Sequence, residues 1–101
     1  MPVHITVHGL PADDALERLC NEEAERLARA CGRILSCHIS ISRPPHHHED
    51  LQLCMAVAIP GSLLVIDPTI DGDEPLATAL HRAFEAMHRR LDDEARRRRC
   101  A

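Results

Sequence analysis

Residues 3–41 read VHITVHGLPADDALERLCNEEAERLARACGRILSCHISI, and the spacing of apolar residues changes twice within them. The first six residues alternate between apolar and polar, which predicts a strand with one buried face. In residues 14–31, apolar side chains recur every three or four positions, which predicts a helix capped by Asp13 and ended by Gly32. Alternation returns over 35–42. The stretch therefore predicts a βαβ unit with a right-handed crossover between parallel strands.

The rest of the chain predicts two more strands and a second helix. Residues 51–59 alternate and end at 60–61, a Pro-Gly pair typical of a tight turn. Residues 63–66 are apolar on both faces and predict a short fourth strand whose orientation the pattern leaves open. The final helix is expected to begin with Asp73 or Glu74 as its cap.

The order β-α-β-β-β-α indicates one α+β domain in 101 residues. Two amphipathic helices suffice to cover one face of a four-stranded mixed sheet, so we expect a two-layer sandwich with both helices on one face. We place this domain at 1–95 and treat 96–101 as a basic C-terminal tail. The opposite face of the sheet is predicted to carry His4, Thr6, His8, Ser36, His38, Ser40, Gln52 and Cys54.

Positive charge is concentrated in the last helix. Residues 82–99 hold seven arginines and four acidic residues, a balance of +3. The other 83 residues hold five arginines and twelve acidic residues, a balance of −7, so the whole chain has a net charge of −4. Every basic residue other than histidine is arginine, whose guanidinium binds phosphate in a planar two-point fork. The pattern favours a polyanionic partner. The alternative is a solvated helix end whose arginines complement the helix dipole.

Composition and motifs argue against several classes of function. Phe84 is the only aromatic residue, which disfavours a stacking platform for single-stranded bases. The chain has no GxSxG motif, Gly-rich phosphate loop or Ser/His/Asp order, so we expect neither an enzyme nor a small-molecule substrate. It has no apolar run of membrane-spanning length, so we expect no membrane insertion.

The five cysteines form an odd set, and the N-terminus lacks a basic segment followed by an apolar one, so we expect a reduced, cytoplasmic protein. Cys20 and Cys31 fall on the apolar stripe of the first helix, where free cysteines usually belong to the core. No CxxC or paired Cys/His motif occurs, so we expect neither metal nor cofactor. A His/Cys metal-binding module is the third and weakest alternative, and its candidate ligands are His4, His8, His38 and the three histidines at 46–48 in a predicted loop at 44–50.

The arginines of the two helices are the candidate binding residues. If the helices are neighbours, arginines from both rim the groove between them, where a phosphate backbone would lie. Glu22 and Glu25 are placed to pair with arginines four residues later, so some of this charge is expected to be neutralised. The candidate RNA-binding residues are Arg26, Arg29, Arg33, Arg82, Arg89 and Arg90.

Several segments, taken in order, carry a family resemblance. They are ADDALERL at 12–19, GRILSC at 32–37, AVAIPG at 56–61, DEP at 73–75 and ALHRAFEAMHRRL at 79–91. Together they resemble the ribosome hibernation promoting factor and ribosome-associated inhibitor family, in its short form. The resemblance spans essentially the whole chain and implies a β-α-β-β-β-α fold akin to a double-stranded RNA-binding domain with an added strand.

The resemblance also implies a function. Members of that family bind the small ribosomal subunit at the mRNA and tRNA channel, contact rRNA with basic residues of both helices, and silence translation under stress. Arg26 and Arg29 fall where the family has lysines in its first helix, and Arg89 falls on a basic position of its second. Departures occur at Glu23, Ala86 and Asp93, where relatives can be basic, and at Ala77, where many have tyrosine. Each missing phosphate contact is expected to weaken binding and flatten its salt dependence.

The leading hypothesis is therefore a non-enzymatic translation inhibitor that occupies the decoding channel through arginine–phosphate contacts. The alternative is a diverged domain that acts as a homodimeric protein-interaction module without ribosome binding. In that case Leu63 or Val65 of the fourth strand and the open face of the third strand are expected to form the contact.

Overall fold

The computed structural model describes residues 1–11, 13–43, 51–70 and 73–100. Its elements follow the predicted order, and the predicted bounds of the first five are confirmed to within one residue. The loop predicted at 44–50, with its three histidines, lies outside the described residues. The elements are β1 (Val3–His8), α1 (Asp14–Cys31), β2 (Ser36–Ser42), β3 (Gln52–Ile59), β4 (Ser62–Ile66) and α2 (Leu76–Cys100).

The strands form one mixed sheet in the order β1-β2-β3-β4. β1 pairs with β2 in parallel, and the two later pairs are antiparallel, as expected for short connections. In this register Ile5 lies beside Ile39, and Ile39 lies beside Met55, so one apolar row crosses three strands. The predicted two-layer α+β sandwich is confirmed.

Both ends of α1 have the caps expected from the sequence. The Asp13 side chain accepts a hydrogen bond from the backbone N–H of Ala15 at 2.9 Å. At the other end Gly32 adopts φ 68°, and its N–H donates to the carbonyl of Ala28 at 2.9 Å. A residue with a side chain adopts this left-handed conformation only at a cost, so glycine ends the helix there.

The core fills the space between the sheet and the two helices. Within the described part of the chain no polar or charged residue is buried. Burial raises the pKa of the Cys20 and Cys37 thiols to about 11, so both stay protonated at neutral pH. The largest fully buried side chains are those of Ile39, Ile41, Leu53, Met55, Leu80, Met87, Val57, Cys20 and Cys37.

The open face of the sheet has a polar half and an apolar corner. His4 and His38 stack at 5.9 Å between ring centroids, and Thr6 Oγ1 lies 3.3 Å from His38 Nε2. In β4, whose orientation the apolar pattern leaves open, Leu63 and Val65 point to solvent and are 62% and 46% exposed.

Neither helix is long and apolar enough, over the residues described, to cross a membrane.

The last helix extends through the segment that we separated as a tail. α2 continues to Cys100, and Arg98 in this segment donates to the carbonyl of Pro60 at 2.7 Å. Arg98 also lies 3.7 Å from the carboxylate of Glu94, one turn earlier. The C-terminal turns of α2 therefore reach back to the turn between β3 and β4.

Candidate nucleic-acid interface

A shallow groove of about 270 Å³ runs between α1 and α2. Its lining combines apolar side chains with charged and titratable ones. The side chains that line it are those of Glu23, Arg26, Leu27, Ala30, His81, Phe84, Glu85 and His88. Arg26 is thus the single predicted binding residue among these lining side chains, and the other charged or titratable ones are glutamates and histidines.

His81 lines this groove and contacts one glutamate from each helix. Its Nδ1 lies 3.0 Å from Glu23 Oε1, and its Nε2 lies 2.9 Å from Glu85 Oε1. The hydrogen bond to Glu23 and that carboxylate's charge, with a smaller effect of Glu85, raise the pKa of His81. Both ring nitrogens can donate only in the protonated imidazolium, so the pair of carboxylates favours a cation between the helices.

The two α1 arginines lie on different sides of the helix. The expected pairing of Arg26 with Glu22 is wrong: Arg26 lies 3.7 Å from Glu23, three residues earlier, and Glu23 also contacts His81. Arg29 pairs with Glu25 at 3.5 Å, as expected. Arg29 lines a depression beside Met1 and Val3, away from α2. Both arginine side chains remain at least 70% exposed, so solvent screens these two long ion pairs and each contributes little.

Arg82 is held by the segment that precedes α2. Its Nε and Nη2 donate to the two carboxylate oxygens of Glu74 at 3.0 and 2.7 Å, and Nη2 also donates to the carbonyl of Thr69 at 3.0 Å. Glu74 is only 14% exposed. This two-point pairing occupies the same donors that a phosphate would need.

Arg90 contacts the edge strand of the sheet. Its Nη1 donates to the carbonyl of Val65 in β4 at 3.3 Å. Together with the bond from Arg98 to Pro60, this contact satisfies carbonyls at the β4 end of the sheet. Edge carbonyls that are occupied in this way are less available to pair with a strand of another chain.

Arg33 and Arg89 have no acidic side chain within ion-pair distance in the part of the chain that the structure describes, and both are exposed. Arg33 follows α1 and lines a cavity of about 630 Å³ with Ile59 and Leu91. Arg89 lies on the solvent side of α2. The six predicted residues are thus spread around the helical layer, with Arg26 in the groove and the other five outside its lining.

His81 lines the groove although the sequence pattern does not indicate it. Its partner Glu23 is 58 positions away, so no local spacing marks the pair. Its other partner, Glu85, is four residues later on the same helix, and that spacing is visible in the sequence. The i,i+4 relation alone does not indicate that a second carboxylate from α1 completes the arrangement.

Comparison with known proteins agrees with the fold. The N-terminal domain of Protein Y from Thermus thermophilus superposes with a TM-score of 0.71 at 20% identity, over 90% of this chain and 96% of that one. A ribosomal subunit interface protein from Coxiella burnetii superposes with a TM-score of 0.79 at 17% identity, over 94% of this chain and 98% of that one. A search of curated protein sequences finds no match.

The sequence also matches a family model directly. The match covers residues 3–99, which reach from the start of β1 into the last turn of α2 and include every candidate arginine. It agrees with the resemblance that the ordered segments carry. This chain belongs to the family of sigma-54 modulation protein / S30EA ribosomal protein.

Proposed function

We infer that this protein associates with the ribosome in the cytoplasm and inhibits translation by occupying the mRNA and tRNA channel of the small subunit. Family membership supports ribosome association, as does the likeness to a protein described as a ribosomal subunit interface protein. The proposed mechanism is steric and needs no catalytic step. Arginine–phosphate contacts to rRNA supply the affinity.

One observation carries the choice of contact residues. Arg89 and Arg33 are exposed and have no ion-pair partner in the described part of the chain, and Arg26 and Arg29 are exposed and form only long ion pairs, of 3.7 and 3.5 Å. A guanidinium that is free or in a long ion pair loses little on binding a phosphate, whereas one whose donors make hydrogen bonds of 2.7–3.3 Å within the fold, as in Arg82 and Arg90, must first lose those bonds. We therefore rank Arg26, Arg29, Arg33 and Arg89 above Arg82 and Arg90 as rRNA contacts.

The test is sedimentation with purified small ribosomal subunits over a series of salt concentrations. We expect the Arg26→Ala/Arg89→Ala variant to bind more weakly than the wild type, with the log–log slope of its salt dependence reduced by roughly 0.7–0.9 for each phosphate that the variant no longer neutralises. The matched control is Arg18→Ala/Arg43→Ala, which removes the same charge from other exposed positions. Equal binding by the two double variants would contradict the assignment, and no binding by the wild type at low salt would contradict the function.

The homodimer alternative is favoured by a different observation. In the sheet register Leu63 lies beside Ala58 and Val65 lies beside Ala56, so these side chains form an apolar patch on the open face. Arg90 occupies the β4 carbonyl of Val65, so a second copy would meet this face rather than the edge. A mass of two chains in light scattering that Leu63→Glu reduces to one would support this alternative. A single-chain mass at all concentrations would refute it.

A further inference from the structure

Three side chains with metal-binding atoms meet where the end of α1 packs against α2. Cys31 is the last residue of α1, and His88 and Asp92 are one turn apart on α2. One ligand atom from each lies within 4.8 Å of the other two. Among the residues that the structure describes, this is the only group of three histidine, cysteine or acidic side chains at such a spacing.

The geometry is close to that of a tetrahedral zinc site. Zinc bonds of about 2.0–2.3 Å to sulfur, nitrogen and oxygen place neighbouring ligand atoms about 3.4–3.6 Å apart. His88 Nε2 already lies 3.7 Å from Asp92 Oδ2, because residues four apart share one face of a helix. The other two separations are at most 4.8 Å, so reaching the tetrahedral value requires side-chain shifts of no more than about 1 Å.

The ligand types of the cluster favour a divalent transition metal. A divalent cation between the Cys31 sulfur and the Asp92 carboxylate would displace the thiol proton and be neutralised by the two negative charges. Thiolate and imidazole are ligands of zinc and similar transition metals, whereas magnesium and calcium prefer oxygen alone.

The cluster is accessible to an ion from solvent. Cys31 lines the cavity of about 630 Å³ at the end of α1, and His88 lines the interhelical groove. Asp92 is exposed. An ion from solvent cannot reach Cys20 and Cys37 in the same way, because both are fully buried in the core.

We propose that Cys31, His88 and Asp92 form a Zn²⁺ site with three protein ligands and water in the fourth position. The site links the C-terminal end of α1 to α2. No motif in the sequence indicates it, because Cys31 and His88 are 57 positions apart and neither belongs to a paired ligand motif. It uses none of the histidines of the open sheet face or of the predicted loop.

Cobalt(II) titration of the full chain, under a non-thiol reductant, tests the proposal. Cobalt replaces zinc in tetrahedral sites and gives a sulfur-to-cobalt charge-transfer band only when a thiolate is a ligand, so binding to the three histidines at 46–48 does not produce it. We expect one equivalent of cobalt to give this band and zinc to remove it. Cys31→Ser should abolish the band, and His88→Gln and Asp92→Asn should each weaken zinc binding by at least about tenfold.

Cys54→Ser is the matched control, because Cys54 is a partly exposed cysteine on the other side of the sheet. It should keep the band and the zinc affinity of the wild type. Circular dichroism of each variant checks that it is folded, and if Cys31→Ser is not, the two α2 variants decide the question. The absence of the charge-transfer band, its survival in Cys31→Ser, or unchanged zinc affinity in both His88→Gln and Asp92→Asn would overturn the proposal.

Discussion

Two arginines of α2 that look alike in the sequence, Arg82 and Arg89, are expected to differ in what they do for stability. Arg82 makes three charge-assisted hydrogen bonds, two to Glu74 and one to the carbonyl of Thr69, at 2.7–3.0 Å. Arg89 is exposed and has no ion-pair partner in the described residues. We therefore expect Arg82→Ala to destabilise the fold and Arg89→Ala to leave it unchanged.

The magnitude follows from the exposure of the Arg82 pair. A hydrogen bond to a charged group contributes about 1.5–3 kcal/mol when buried, whereas an exposed ion pair contributes about 0.2–1 kcal/mol. Arg82 is 48% exposed but Glu74 is only 14% exposed, so Arg82→Ala leaves a largely buried carboxylate without this partner. We expect a loss of about 1–2 kcal/mol, or roughly 5–10 °C in Tm for a domain of this size. Arg89→Ala should change the free energy of unfolding by less than about 0.5 kcal/mol.

Urea unfolding followed by far-ultraviolet circular dichroism measures both variants, since the chain has no tryptophan or tyrosine for fluorescence. A double-mutant cycle of Arg82→Ala with Glu74→Ala isolates the pair, and we expect a coupling energy of about 0.5–1.5 kcal/mol. A coupling near zero, or equal stability of the Arg82→Ala and Arg89→Ala variants, would refute the assignment of Arg82 to a structural role.

Three other residues give independent tests. His81→Gln should lower the free energy of unfolding at about pH 5.5 and lower it progressively less toward pH 9. The reason is that a histidine with a raised folded-state pKa stabilises the fold below its unfolded pKa of about 6.5, and this stabilisation is lost as pH rises through the folded-state pKa. A stability difference that grows with pH in urea titrations would contradict this expectation. Gly9→Ala should cost at least about 1 kcal/mol more stability than Gly32→Ala. Both glycines have positive φ, but a Cβ on Gly9 would lie 2.8 Å from the carbonyl oxygen of Arg43, whereas a Cβ on Gly32 would meet nothing within 4 Å. Equal thermal midpoints of the two variants would exclude the contact at Gly9. Met87→Ala, at a fully buried position, should cost about 2–5 kcal/mol in urea unfolding, and a loss below about 1 kcal/mol would place this side chain outside the core.

The fold was predictable because its signals are local and periodic. Alternation in 3–8 and 35–42 and the three-to-four spacing of 14–31 each report which side of an element is buried. The caps at Asp13 and Gly32 then set the ends of α1. Given the element order, two helices and four strands leave one arrangement of layers.

The site was only partly predictable, because an arginine or histidine side chain reaches partners that the periodic pattern does not contain. The Arg29–Glu25 pair lies within one helical turn and was expected. The Arg82–Glu74 pair crosses the start of a helix, and His81 meets a glutamate from another helix. Residue spacing within one helix predicts side-chain contacts along that helix. It does not predict contacts between side chains of different elements in the helical layer.

These contacts change what the arginine content of α2 implies for a net-acidic protein. Among the α2 arginines whose side chains the structure describes, Arg82, Arg90 and Arg98 donate to acceptors elsewhere in the domain. These three attach α2 to the loop before it and to the β4 end of the sheet, so they stabilise the layer that presents the others. The affinity for a polyanion then depends on the guanidinium groups left free, such as that of Arg89, and less on the formal charge of the helix. A count of basic residues therefore overestimates the number of guanidinium groups that α2 offers to a polyanion.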